Sequence, residues 1–137
     1  MARVFFDTRK NLDTTSLTNT TTYVMKQSDS GKTFMVSGGT QTVTLLPAAD
    51  LQEGWHCSFV TTASPSGDKT LGAATAIISG SCQDAGNGVG CGTDGTAVTN
   101  IIIEAASQAG NWLDLFTDGS AYYFNASASQ DSAFTTS

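Results

Sequence analysis

The sequence predicts an all-β protein, an antiparallel β-sandwich or β-barrel of about eight short strands behind an extended N-terminal arm. Three observations predict it. Short runs rich in Val, Ile, Thr and aromatic residues alternate between apolar and polar positions, which is the two-residue period of a half-buried strand. Turn signals separate those runs at close intervals: Asp29-Ser30-Gly31, Ser37-Gly38-Gly39, Pro65-Ser66-Gly67-Asp68 and Asp118-Gly119. No apolar pattern of helical period is sustained, so no independent helix is expected. At 137 residues the chain suits one domain with a modest core.

Taken in order, residues 1–22 join the apolar patch Val4-Phe5-Phe6 to a polar run and read as an extended arm or a loosely held first strand, followed by an exposed connector. The β domain spans 23–125. Tyr23-Val24-Met25 opens it, and a strand over 33–36 puts Phe34 and Val36 on one face. Residues 40–46 alternate cleanly, with Val43 and Leu45 opposite Thr42 and Thr44, until Pro47 ends the run because it cannot donate to a ladder. A single helical turn is expected near residues 48–53. In 55–61, Trp55, Cys57 and Phe59 share one face, and His56, Ser58 and Val60 the other. Further strands follow over 69–79 and 97–104, separated by a glycine-rich loop over 80–96.

Asp118-Gly119 is the strongest hairpin signal, since glycine accepts positive φ and aspartate tolerates it. A two-residue turn would set Leu115 opposite Tyr122 and Leu113 opposite Phe124; a four-residue loop would change that pairing. With the two-residue turn, Leu113, Leu115, Tyr122 and Phe124 share one face and Trp112, Asp114, Phe116 and Tyr123 the other. Such a hairpin wants a second partner, either another sheet or another subunit. Residues 126–137 read as a polar tail with Phe134 exposed.

Charged residues make up 13% of the chain, about half the usual share, and the net charge is −6. That excludes general nucleic-acid binding, which needs a basic footprint. The cations are unevenly placed: Arg3, Arg9, Lys10, Lys26 and Lys32 precede residue 33, and only Lys69 follows. The opening residues lack a continuous apolar segment, so no signal peptide is expected, and no stretch reaches transmembrane length.

No reactive centre stands out, and a non-enzymatic protein is expected. His56 is the only histidine, and alternation sends its neighbour Cys57 to the opposite face. The spacing of Cys82 and Cys91 is not that of a zinc site. A disulfide between them and three free thiols both fit the sequence. Asp84, Asn87 and Asp94 invite calcium but lack EF-hand spacing. Glycines 86, 88 and 90 imitate a nucleotide fingerprint that no helix follows. Glu53 and Glu104 are isolated, so no glycosidase pair can be argued. No cofactor is implied. Trp55, Trp112, Tyr122 and Tyr123 could line a sugar-binding face; filling the core and a subunit interface is the plainer reading.

Four segments carry a resemblance: YVMKQSDSGKTFMV, TQTVTLLPAADLQEGWHCSFV, AIISG and NWLDLFTDGSAYYF. Together they resemble small β-structured virion proteins of tailed bacteriophages and the same module in tail-fibre and tail-spike regions. The resemblance covers about residues 22–125 and rests on packing and turn signatures. It implies a structural protein on the outer surface of a phage head, commonly a homotrimer, bound to the major capsid protein. On that reading Arg3, Phe5, Phe6, Arg9 and Lys10 are candidates for capsid contact, and Trp112, Phe116 and Tyr123 for packing between subunits. Neither nucleic acid nor membrane is an expected partner. A tail-fibre or adhesion module binding a host-surface glycan is the alternative. The chain departs from the pattern in having Tyr122-Tyr123 where relatives repeat a tryptophan, and in the Cys82 to Cys91 glycine loop.

Overall fold

A computed structural model describes residues 14–17, 22–85 and 92–137. These residues form β1 (Thr14–Leu17), β2 (Tyr23–Val24), β3 (Thr33–Val36), β4 (Gln41–Thr44), β5 (His56–Thr61) and β6 (Lys69–Gly72). Then follow β7 (Ile78–Asp84), β8 (Asn100–Ile103), β9 (Trp112–Thr117), β10 (Tyr122–Ala128) and β11 (Phe134–Thr136). Short 3-10 turns at Gln27–Asp29 and Ala48–Asp50 complete the regular structure.

Two sheets result. One has six strands in the order β1-β3-β5-β9-β10-β7, the other five in the order β11-β8-β6-β4-β2. Their inward residues join one apolar cluster in which Phe34, Val43, Leu71, Ile101, Leu113, Leu115 and Tyr122 are 0% exposed. Burying a side chain of this size stabilises the fold by about 1.5–3 kcal/mol. Phe34 and Phe59 stack with centroids 5.1 Å apart, and Trp55 meets Tyr122 edge-on at 6.3 Å. The Trp55 indole N–H, otherwise stranded in the core, donates to the Lys26 carbonyl at 3.2 Å.

The all-β expectation holds; of sandwich and barrel the two sheets match the first, with eleven strands among the described residues in place of about eight, and the sheets are mixed rather than antiparallel. From β1 to β8 the chain alternates between the sheets, and β1, β3 and β5 lie parallel in one while β2, β4 and β6 lie parallel in the other. Parallel neighbours need a long crossover. Here each crossover carries a strand of the opposite sheet instead of a helix. Thr14, Thr33 and Ser58 share one level in the first sheet; Tyr23, Val43 and Leu71 share one in the second. Those levels are unequally spaced in sequence, which is why no fixed repeat was visible. The antiparallel arrangement is confined to β5-β9-β10 and β6-β8-β11, and β7 returns parallel to β10.

Both ends of the chain contribute to the body, the first by the strand weighed for it and the second against expectation. Thr14–Leu17, within the expected arm, is an edge strand whose Leu17 is 1% exposed. The expected tail continues β10 to Ala128 and ends in β11, with Phe134 buried at 3% exposure against β8 rather than exposed. The remaining arm residues, 1–13 and 18–21, lie outside the described residues.

Candidate interaction surface

The β9-β10 hairpin organises the surface. Its turn has four residues, because Tyr122 pairs with Thr117 and Phe124 with Leu115. Asp118 sets this length: its Oδ1 accepts the Ser120 and Ala121 amides at 2.8 and 2.9 Å, while Gly119 takes φ +87°. The Thr117 hydroxyl donates to the Ala121 carbonyl at 2.7 Å and accepts the Gly119 amide. The Ala121 and Ser120 amides hold the Asp118 carboxyl below its ordinary range. The register differs by two residues from a two-residue turn, so the faces are unchanged. Leu113, Leu115, Tyr122 and Phe124 all point inward.

The opposite face of this sheet is built in rows, because residues in register lie side by side. One row runs Met35, Val60, Trp112, Ser127, Gln83. The next, about 7 Å away, runs Thr33, Ser58, Asp114, Asn125, Ser81. The third runs His56, Phe116, Tyr123, Ser79. Two apolar bars therefore flank a polar bar with one carboxylate at its centre. Trp112 is 37% exposed and Phe116 46%, against 0% for Leu113 and Leu115 beside them on the same strand. Phe116 stacks on Tyr123 with centroids 5.5 Å apart. The Tyr123 hydroxyl donates to Asp118 Oδ2 at 3.1 Å, a bond that raises the Tyr123 pKa. Ser58 donates to Asp114 at 2.5 Å.

The three proposed packing residues thus share one exposed face, and Met35 and Val60 extend it. Alternation opposite Phe34, Val36, Phe59 and Thr61 was the signal for those two. Arg3, Phe5, Phe6, Arg9 and Lys10 lie outside the described residues. The four aromatics weighed as a sugar platform divide: Trp112 and Tyr123 face outward, while Trp55 and Tyr122 are core residues. The Tyr122 hydroxyl donates to the Leu46 carbonyl at 2.6 Å, and burial pushes its pKa up.

Elsewhere, an apolar groove of about 360 Å³ is lined by Leu46, Pro47, Ala48, Ala73 and Ile77, with the hydroxyls of Thr75 and Ser120 as its polar side chains. It carries no side chain that could move a proton at neutral pH. Among the described residues no three His, Cys, Asp or Glu side chains group as a metal site. Asn87, one of the three oxygen ligands weighed for calcium, lies outside them, as does Cys91. Cys82 is disulfide-bonded, whereas Cys57 is a free thiol in the core, its pKa raised by burial. His56 sits exposed at the start of β5 with Nδ1 3.0 Å from the Gly54 carbonyl.

Two buried charges were not legible in the sequence. Asp29, 0% exposed, accepts from the Tyr23 hydroxyl at 3.0 Å and the Lys26 amide at 2.9 Å, and pairs with Lys32 at 3.0 Å. Lys69, also 0% exposed, donates to the Gly39 carbonyl, and burial lowers its pKa. Both fix loops to the ends of strands. No helix among the described residues is long and apolar enough to cross a membrane. The chain matches no family model, no curated protein and no solved structure.

Proposed function

We propose that the protein is a non-enzymatic virion component that decorates a bacteriophage head, as a homotrimer bridging neighbouring capsomers of the major capsid protein. The observation that carries this reading is the outer face of the six-stranded sheet. Trp112 and Phe116 are held outward by a strand whose alternate residues are locked in the core. Large aromatics on a rigid backbone give contact area at low entropic cost, and they dominate protein interfaces. Specific attachment would bury roughly 1,000 Å² or more. In this reading Trp112, Phe116 and Tyr123 pack between subunits, and Arg3, Phe5, Phe6, Arg9 and Lys10 contact the lattice. Added area between capsomers raises the barrier to their separation.

The direct test is addition of the purified protein to expanded heads that lack it, followed by electron microscopy. Density at three-fold or pseudo-three-fold positions supports the reading. A protein lacking residues 1–10 should stay folded and fail to attach; attachment equal to that of the full chain would rule out the arm as the lattice contact. Heads that take up neither form would rule out decoration itself.

A second reading is favoured by the polar row between the aromatic bars. Ser58, Asp114 and Asn125 could hydrogen-bond a sugar lying on Trp112 and Tyr123, as in an adhesion module. Glycan-array binding lost on Trp112→Ser, with folding unchanged, would support it. An array without signal would count against it.

A further inference from the structure

The acidic body limits where two copies can meet. Among the described residues ten carboxylates outnumber three lysines, and of these Lys69 is buried and Lys32 pairs with Asp29. Two copies meeting outer face to outer face about a two-fold axis would set Asp114 near Asp114 beside apolar side chains, which is unfavourable. The row His56, Phe116, Tyr123, Ser79 carries no carboxylate, and Phe116 projects from it at 46% exposure. Its match is an uncharged apolar recess elsewhere on a second copy.

The groove beside the Ala48–Asp50 turn is such a recess. None of the ten carboxylates lines it; Leu46, Pro47, Ala73 and Ile77 do, and its volume of about 360 Å³ has room for an aromatic ring. The groove also reaches the β9-β10 hairpin. Ser120, in the turn, forms part of its wall, and the Tyr122 hydroxyl is bonded to the carbonyl of Leu46. Phe116 leaves the same hairpin at the penultimate residue of β9. Projection and recess thus flank one turn. Both are fixed in advance, the ring by its buried neighbours Leu115 and Thr117 and the groove wall by the Tyr122 hydrogen bond, so docking orders little that is loose.

We propose that this groove is the receptor for Phe116 of a second copy. Such a contact is heterologous: each copy inserts its ring into the next and receives one from the copy before, and the series ends when a ring of copies closes. The rotation that carries projection onto recess has its axis close to both, which puts the hairpin turn nearest that axis. Asp114 stands one row further from the turn and stays outside the contact. The inference rests on the homotrimer of the proposed function for the number three, and supplies the contact that holds it together.

The test is the mass of the full-length protein in light scattering, with a variant on each side of the contact. Wild type is expected at three chains. Phe116→Ser removes the ring, and Ala74→Trp obstructs the groove from an exposed lining position. Each should fall to one chain while its near-ultraviolet dichroism stays native. Mixed in equal amounts at about 1 mM, the two variants should recover a two-chain species, because one keeps its groove and the other its ring. A contact between identical patches permits no such rescue. Wild type at one chain in the same conditions overturns the contact. An Ala74→Trp variant that stays at three chains overturns the groove as receptor and leaves the homotrimer standing. A mixture that stays at one chain overturns the head-to-tail arrangement. Three-chain wild type that expanded heads do not take up would sink the proposed function and leave the groove contact in place.

Discussion

Gly80→Ala tests the least expected feature of the fold, the parallel return of β7 beside β10. Gly80 is in register with Phe124, and a Cβ built on it would lie 2.2 Å from the Phe124 carbonyl oxygen and 2.5 Å from its ring. Real Cβ contacts essentially never fall under 3.0 Å. Phe124 cannot yield, because its ring is 3% exposed in the core and its backbone is bound on the other side to Leu115. The strands must therefore separate, breaking ladder hydrogen bonds along seven registered pairs. Overpacking that displaces backbone costs about 3 kcal/mol. For a chain of this length that lowers the melting temperature by roughly 10 °C. Gly92→Ala is the matched control: its nearest neighbour would be the Gly80 carbonyl at 3.5 Å, an ordinary contact. Calorimetry and urea titration of both variants decide the matter. A Gly80→Ala midpoint within about 2 °C of the wild type would mean that β7 does not pack against β10 in this way.

Three further outcomes are expected. Tyr122→Phe should cost about 1–2 kcal/mol in urea titration, since it leaves the Leu46 carbonyl without the hydroxyl 2.6 Å away. Lys69 should make stability depend on alkaline pH. Burial lowers its folded pKa below the ordinary 10.5, so between those values the folded state binds fewer protons than the unfolded one. Its contribution is least favourable below the folded pKa and recovers as pH rises towards 10.5. Tyr23 and Tyr122, with raised pKa values, act in the opposite sense above pH 10. The stability difference between wild type and Lys69→Met should therefore be followed from pH 7 to 10; a constant difference would refute the assignment. Finally, Cys57 should resist iodoacetamide at pH 8 in the native protein and react on unfolding, because burial suppresses its thiolate. Rapid native alkylation would place it outside the core.

What the sequence disclosed follows from what a period of two can encode. Alternation placed Leu113, Leu115, Tyr122 and Phe124 inward and Trp112, Phe116 and Tyr123 outward, and this survived the two-residue shift in register because parity was preserved. Alternation carries no direction. Thr33–Val36 reads the same whether its neighbour β5 runs with it or against it, so the parallel pairing of β3 and β5 was not legible. Composition misled at the C-terminus. Phe134 stands in a Ser- and Thr-rich stretch that looked solvated, yet β8 supplies Ile101 and Ile103 for it to pack beside. Lys69 and Asp29 escaped for a related reason. Beside the Asp29–Lys32 pair, which by itself looks like a solvated surface pair, their partners are the Gly39 carbonyl, the Lys26 amide and the Tyr23 hydroxyl, groups that a search for paired charges does not register.

The same topology bears on why a face, and not a pocket, is the candidate site. A chain that alternates between two sheets spends its large residues on the shared interior and fills it. The apolar groove described above is lined by alanines, a proline and aliphatic side chains, with no carboxylate, imidazole or amine among them. Chemistry would need groups converging on a point. Adhesion needs only side chains spread over a plane that does not move. The six-stranded sheet supplies that plane: its inner residues Phe34, Phe59, Leu113 and Tyr122 are locked between sheets. Each outer residue therefore inherits a fixed position from a buried neighbour one residue away. A Trp112 or Phe116 so held loses little further freedom on docking, and that saving is what lets exposed aromatics act as anchors. Exposure of two large aromatics on so rigid a support is costly for solubility. It is intelligible where a second surface regularly covers it.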